Sequence, residues 1–435
     1  MEAGLFRFLR FSLGLEGEVK GLLDGRKGSF DWDACYQFAK RQTLVGVLFD
    51  GIQRLPKELA PARPLLLRWL SDSESIRRRN MRMDRASAYI YNKVCAAGFR
   101  CCILKGQGNA LLYPHPSSRI PGDVDVWVMA NREELRHIAL SLTEGDGSSL
   151  QESLNHIGLT VHGVSVELHS TPALLNSPLY NSRLQKWFKR NADLQCSNRI
   201  ALPNNAGKVA VPTLSFNIIY QLCHLFHHCF YEGVGLRQIV DYYFVLKNTD
   251  FSGNTDEGAG NTDRDEVLLN TDYTDSTDSS SGDFEGDGCL LNTDCADFLD
   301  SSSGGLGEVD SGGALVALQE ELKWLGLWEF AGAVMYVLRE VMRLDEKRMI
   351  CAPDERRGRL LLEEIMAGGN FGHYDERNHF GQGALWHNIQ RFRRDWRMLR
   401  FYPSEALSEP LFRVCHFLWR WKQKHTGKPK ERNRN

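Results

Sequence analysis

The chain has 435 residues, of which 42% are hydrophobic, 10% aromatic and 25% charged. These proportions are typical of globular proteins with buried cores, and they exclude a fibrous or wholly disordered chain. No run approaches the roughly 18 apolar residues of a membrane span, and the charged first residues do not fit a signal peptide, so we expect a soluble cytoplasmic protein without membrane contact. The eleven cysteines are scattered without a Cys-x-x-Cys pair, so we expect no disulfides.

The net charge of −2 hides a segregation of charge along the chain. Residues 248–313 contain 17 acidic residues and one basic residue, and the tripeptide Asn-Thr-Asp recurs five times there. This region is too poor in apolar residues to fold, so we predict a disordered acidic insertion. The remaining chain has 52 basic and 38 acidic residues, a net charge of +14. This basic body indicates an anionic ligand such as a nucleotide, a polyphosphate or a nucleic acid, although a solubilising surface is the alternative.

Hydrophobic spacing divides the rest of the chain into helical and strand-forming regions. Residues 1–98 have apolar side chains at helical spacing and are predicted to be a helical N-terminal region. Residues 99–212 are predicted to form the core, in which residues 124–128 and 164–168 alternate as two strands with one apolar and one polar face each. Residues 213–247 form a predicted helical segment facing a cleft, and residues 314–435 a helical C-terminal region with a basic tail. The expected fold class is α+β.

Two interpretations of the basic tail are possible. From residue 391 onward it contains 13 Lys and Arg residues against four acidic ones, with tryptophans interleaved. It could bind nucleic acid through phosphate contacts and stacking. We expect instead that its large apolar residues pack on the body while the arginines form a solvated face; these residues are Trp396, Leu399, Phe412, Phe417 and Leu418.

Three acidic residues stand where neighbouring strands would bring them together. Asp123 and Asp125 are two residues apart on the first predicted strand and therefore point to the same side. If the second strand lies beside the first, Glu167 adds a third carboxylate. Clustered carboxylates need a cation between them, and Mg²⁺, with Mn²⁺ as the alternative, prefers such oxygen ligands. We therefore predict that these three residues bind the metal and catalyse phosphoryl or nucleotidyl transfer.

A Lys-Gly turn precedes the acidic pair. Lys105 and Gly106 stand before a short helix, and Arg119 follows them. Basic side chains neutralise a polyphosphate, and glycine lets the backbone approach its oxygens. An isolated Asp-x-Asp pair is usually a solvated strand edge, but the order of turn, acidic pair and third acid favours a nucleotide-binding site that includes Lys105, Gly106 and Arg119.

These residues resemble the first motif of the uncharacterised nucleotidyltransferase family within the polymerase-beta-like superfamily. The resemblance includes Glu167 with the following Leu168-His169, and it begins with the run Leu104-Lys105-Gly106-Gln107-Gly108-Asn109-Ala110, followed by Arg119 and Gly122-Asp123-Val124-Asp125-Val126. It implies a polymerase-beta-like core, a small mixed sheet that carries the three carboxylates with helices packed around it. It also implies transfer of a nucleoside monophosphate from an NTP with Mg²⁺.

The helical run from His224 to Asp241 is similar to the helical part of the same family. We expect this run to close the cleft, and the residues that could line it are His169, His228, Arg237 and Asp241. Other interpretations remain open: the crowded histidines and cysteines near His228 could bind zinc, and Arg237 with Asp241 could be a simple pair on a helix surface.

The predicted function is Mg²⁺-dependent transfer of a nucleoside monophosphate to an unidentified hydroxyl-type acceptor, which could be a small molecule, a protein or an RNA end. The alternative is a non-catalytic nucleotide-binding sensor or scaffold on the same fold. The two differ in whether bound NTP turns over, and the complete set of three carboxylates favours the enzyme.

Overall fold

The computed structural model describes residues 2–17, 30–143, 150–249, 251, 311–375 and 384–426. The described residues within 1–249 and 317–435 form one compact unit. Almost all of the predicted insertion, residues 248–313, lies outside the described residues, so its disorder stays a prediction. In the part of the chain that is described, no helix has the length and apolarity needed to cross a membrane.

Most of the described residues are helical, as the spacing predicts. Among the described residues, four helices precede the first strand: α1 (Glu2–Ser12), α2 (Trp32–Arg41), α3 (Val45–Gln53) and the long α4 (Arg63–Ala96). Five more lie between the first strand and residue 249: α5 (Gly106–Ala110), α6 (Arg132–Leu142), α7 (Pro178–Ser197), α8 (Leu214–Tyr231) and α9 (Leu236–Asn248). The others are α10 (Ser311–Trp324), α11 (Trp328–Met342), α12 (Glu355–Gly368), α13 (Ala384–Leu399) and α14 (Pro403–Thr426). Short 3-10 turns span Lys57–Leu59, Pro116–Ser118, Glu346–Arg348 and Asn370–Gly372.

The strands form one small mixed sheet and a separate hairpin. The sheet has five strands in the order β1-β2-β5-β4-β3, in which β2 and β5 are parallel and the other neighbours antiparallel. Its strands are β1 (Cys101–Leu104), β2 (Val124–Val128), β3 (Gln151–Glu152), β4 (His156–Val161) and β5 (Val164–His169), and the hairpin pairs β6 (Arg199–Leu202) with β7 (Gly207–Ala210). The two strands predicted from alternation are therefore confirmed, and they lie side by side.

Helices cover both faces of the sheet. Val126 and Val128 of β2 belong to a buried cluster that includes side chains of α4 and α6. On the other face, the ring of Trp127 lies 5.9 Å from that of Phe188 on α7 and 5.8 Å from that of Phe216 on α8. All five side chains of β2 are thus buried, and Trp127 packs on aromatic rings of α7 and α8 that the strand's own alternation does not reveal.

The C-terminal helices depart from the predicted packing. Trp396, Phe417 and Leu418 were expected against the body, but they are 67%, 66% and 55% exposed. The orientation of α14 explains the exposure of Phe417 and Leu418, because Glu405 and Glu409 occupy its inner face and are 3% and 2% exposed. The Glu405 carboxylate accepts hydrogen bonds of 2.7 and 3.1 Å from two backbone amides, which fixes the rotation of the helix. Phe417 and Leu418 therefore face outward.

Candidate active site

The sheet register places the three predicted carboxylates together. Strands β2 and β5 run parallel, and Asp125 is paired directly with Glu167. Asp123 lies two residues before Asp125 and on the same side of the chain. One carboxylate oxygen from each residue lies within 4.8 Å of those from the other two. Three oxygen donors at this separation can hold a divalent metal ion.

The proximity of these carboxylates perturbs their pKa values. The neighbouring Asp125, together with burial, raises the pKa of Asp123 to about 6. Burial also raises the pKa of Asp125, but Lys105 and a hydrogen bond from His169 outweigh it and hold that pKa well below its usual range. A cation among the carboxylates would relieve the repulsion that Asp123 experiences, so the residues present fit a bound metal.

Lys105 is directed at the carboxylates by an unusual backbone conformation. It precedes α5 with φ 49° and ψ −130°, a region that residues with side chains rarely adopt. Gly106 follows with φ 37°, which glycine tolerates more readily. The Lys105 Nζ lies 3.1 Å from Asp125 Oδ2 and 2.7 Å from Nε2 of His224. The turn therefore places a positive charge directly on one member of the acidic cluster.

Two histidines flank the carboxylates on the other side. His169 is buried, and its Nε2 lies 3.0 Å from Asp125 Oδ1 and 3.2 Å from Glu167 Oε2. Burial lowers the pKa of His169, but hydrogen bonds to these two carboxylates outweigh it and raise the pKa to about 9. His156, paired with His169 across β4 and β5, lies 3.6 Å from Glu167. The sequence interpretation missed His156, whose position on a strand of alternating burial was the available signal.

Arg119 is not directed at the acidic cluster; it forms a buried ion pair. Its Nε and Nη2 donate to the two carboxylate oxygens of Asp241 at 2.7 and 2.8 Å. The hydroxyl of Tyr113 donates to the same carboxylate at 2.7 Å. Burial raises the pKa of Asp241, but the Arg119 guanidinium outweighs it and lowers the pKa below its ordinary value. Asp241 thus connects α9 to the loop before β2.

Arg237 adds a second buried guanidinium beside this pair. It is 9% exposed and donates from Nη1 to the carbonyl oxygen of Ile120 at 3.3 Å. The interpretation of Arg237 and Asp241 as a pair on a helix surface is wrong, because both residues are buried and Asp241 pairs with Arg119. Two N–H donors here are buried without a hydrogen-bond partner, Arg119 Nη1 and Arg237 Nε. Unsatisfied buried donors of this kind are costly unless a ligand completes them.

Histidines of α8 line the cleft in a hydrogen-bonded chain. His224 Nε2, which contacts Lys105, lies 3.1 Å from Nε2 of His228, and His228 Nδ1 lies 3.1 Å from Glu232 Oε2. Burial and the adjacent Lys105 hold the pKa of His224 well below its ordinary value, so its ring is neutral at pH 7. Among the described residues, the metal-ligand groups formed by the acids and histidines of the sheet do not include the α8 histidines.

One cavity of about 890 Å³ joins all these groups. Its lining includes every predicted site residue: Asp123, Asp125, Glu167, Lys105, Gly106, Arg119, His169, His228, Arg237 and Asp241. The C-terminal helix α14 also contributes, through Phe412 and His416. The three carboxylates and the run from α8 to α9 therefore share one cleft, with basic groups on both sides of the acidic cluster.

A small mixed sheet that carries three convergent carboxylates beside a Lys-Gly turn has the form of a nucleotidyltransferase core. The family model for uncharacterised nucleotidyltransferases matches residues 28–259, and the chain belongs to this family. No curated protein matches the chain. Among solved structures, an antigenic nucleotidyltransferase-like protein from Paracoccidioides brasiliensis is similar at 16% identity, covering 38% of this chain and 75% of that one, with a TM-score of 0.25. The family assignment rests on the family model alone.

Proposed function

We propose that this protein is a metal-dependent nucleotidyltransferase that transfers a nucleoside monophosphate from an NTP to a hydroxyl-type acceptor. The observation that carries the proposal is the convergence of Asp123, Asp125 and Glu167 in one cavity with Lys105. Membership of a nucleotidyltransferase family supports the reaction class. A cavity of about 890 Å³ has room for a nucleotide and an acceptor together.

Asp123, Asp125 and Glu167 would hold Mg²⁺, or Mn²⁺ in its place, through their carboxylate oxygens. When bound, the metal supplies positive charge that stabilises the attacking and leaving oxygens of an in-line displacement. Lys105 keeps Asp125 ionised, and His169 bonds both Asp125 and Glu167. These two basic residues therefore hold Asp125 and Glu167 in the ionised form that a metal requires.

Lys105, Arg119 and Arg237 would bind the phosphates. Arg119 and Arg237 lie beside one carboxylate, that of Asp241. These three buried side chains therefore have a net charge of +1. Each arginine also has a buried N–H donor without a partner. A phosphate oxygen would accept hydrogen bonds from these donors and balance the positive charge. Arginine suits this role better than lysine because its planar guanidinium can donate two parallel hydrogen bonds to a phosphate. Asp241 would then act by positioning Arg119.

Glu167 faces the part of the cavity that an acceptor would reach. Its side chain is 29% exposed, whereas that of Asp125 is 5% exposed. In nucleotidyl transfer the acceptor oxygen bonds to the α-phosphorus, pyrophosphate leaves, and the hydroxyl proton moves to a base. Glu167, unlike Asp125, has the access needed to accept that proton.

Mass spectrometry can test the reaction directly. The protein is incubated with Mg²⁺, each NTP in turn, and an extract of metabolites and RNA, and products are searched for the added mass of a nucleoside monophosphate. We expect a product with the wild-type chain and with the control Asp193→Asn, an exposed acid outside the cleft, but none with Asp123→Asn. NTP binding without any product would instead favour the non-catalytic sensor. Absence of both binding and product would refute the proposal.

A further inference from the structure

An apolar surface covers the outer side of the last two helices. Among the described residues, eight of the sixteen large hydrophobic side chains that are exposed lie between residues 392 and 421. Their exposed fractions range from 55% to 67%. Contiguous apolar patches of this kind are rare on monomeric proteins and mark interaction sites. We name the following set the C-terminal apolar face: Phe392, Trp396, Leu407, Leu411, Val414, Phe417 and Leu418.

The spacing of this face along α14 is that of a helix that packs against another helix. Leu407, Leu411, Val414 and Leu418 follow one another at intervals of four, three and four residues. This is the heptad spacing of a helix seam, and Phe417 beside Leu418 widens the apolar stripe. The opposite side of α14 is already packed on the body through buried Glu405 and Glu409. The face therefore cannot be buried by rotating the helix.

The distribution of charge along α14 distinguishes between a protein, a membrane and a nucleic acid as the partner of this face. From Leu407 to Leu418, every exposed side chain of α14 is uncharged, because Glu409 is buried and Arg413 is half-buried against it. A helix that lies on an anionic membrane has lysine and arginine along its polar border, and a nucleic-acid surface needs the same charges. The α14 part of the face, from Leu407 to Leu418, is therefore neutral. A neutral apolar seam of helical spacing matches a second protein surface of the same composition.

We propose that a second copy of this chain covers the C-terminal apolar face in a two-fold symmetric dimer. A two-fold interface pairs a patch with itself, so apolar side chains of one copy meet those of the other. The seven side chains present on the order of 800 Å² of exposed apolar surface, which is the area that one partner contributes to a stable interface. The face lies outside residues 28–259, and none of its seven side chains lines the cavity of the proposed active site.

Sedimentation velocity over a wide range of protein concentration tests the dimer on the full chain. We expect a species of twice the 49.5 kDa chain mass. Leu411→Lys places a charge in the seam on both copies and raises the dissociation constant by at least about tenfold, and Leu411→Ala raises it less. The matched control is Leu194→Lys, which adds the same charge at a side chain that is 59% exposed on α7 and leaves the dimer intact.

Two results would overturn the proposal. One is a monomer at every concentration, whether or not that monomer binds vesicles of anionic lipid. The other is a dimer whose dissociation constant is the same for the wild-type chain and for Leu411→Lys and Leu418→Lys, since the copies would then meet through another surface.

Discussion

Replacing Asp241 by asparagine removes the counter-ion of the buried arginine pair while keeping the shape of the side chain. Asp241 is 5% exposed, and it accepts two bonds from Arg119 and one from Tyr113. The variant leaves Arg119 and Arg237 buried without a neutralising charge. Breaking a buried pair in this way costs about 3 to 5 kcal/mol, so we expect the free energy of unfolding to fall by about 3 kcal/mol or more.

Chemical denaturation in phosphate-free buffer measures this loss, and two variants calibrate it. Asp193→Asn breaks the ion pair between Asp193 and Arg100, whose side chains are 78% and 63% exposed, respectively. Exposed pairs contribute about 1 kcal/mol or less, so this control changes little. The double variant Arg119→Met with Asp241→Leu removes both charges and should recover much of the stability that Asp241→Asn loses. Equal midpoints for Asp241→Asn and Asp193→Asn would refute the buried-pair account.

Two further predictions concern backbone strain and pH. At Lys105, where φ is 49°, the glycine variant should be more stable than the alanine variant by about 1 kcal/mol in thermal or chemical unfolding, because both lose the ammonium and only alanine keeps the strain. The opposite order would show that the turn relaxes. Burial raises the pKa of Glu405 to about 7 from its ordinary value of 4.5. Below pH 4.5 Glu405 is protonated in both the folded and the unfolded chain. As the pH rises to about 7, the free energy of unfolding therefore falls by up to about 3 kcal/mol. Glu405→Gln should lack this decline, and parallel stability curves for the two proteins would contradict the shift.

The strands and the acidic cluster could be predicted because their signals are local. Alternation with period two identifies β2 and β5, and once the two strands are neighbours, Asp125 and Glu167 must share a face. The helical character of residues 1–98 and 213–247 follows from apolar spacing in the same way. Each of these inferences uses residues that lie within a few positions of one another.

The contacts that complete the cleft join distant parts of the chain. Arg119 and Asp241 are 122 residues apart, and Lys105 and His224 are 119 residues apart. The spacing of neighbouring residues indicates only partners that are close in the sequence, so it does not predict these pairs. The i and i+4 spacing of Arg237 and Asp241 even favours the wrong pair, because spacing carries no information on burial.

The exposed C-terminal residues fail prediction for a related reason. Large apolar residues such as Trp396 and Phe417 are normally buried, and their spacing alone does not say against what. The buried face of α14 is instead defined by two glutamates, which composition would assign to solvent. In the proposed dimer, a second copy of the chain would bury these side chains.

Calorimetric titration with a non-hydrolysable NTP analogue, with and without Mg²⁺, shows whether the three carboxylates bind a metal together with a nucleotide. We expect the wild-type chain to bind the analogue at least about tenfold more tightly when Mg²⁺ is present. Asp123→Asn and Asp125→Asn should each lose this metal-dependent gain in affinity, because a neutral amide keeps the shape but not the charge. Unchanged metal-dependent binding in both variants would contradict the assignment of the site.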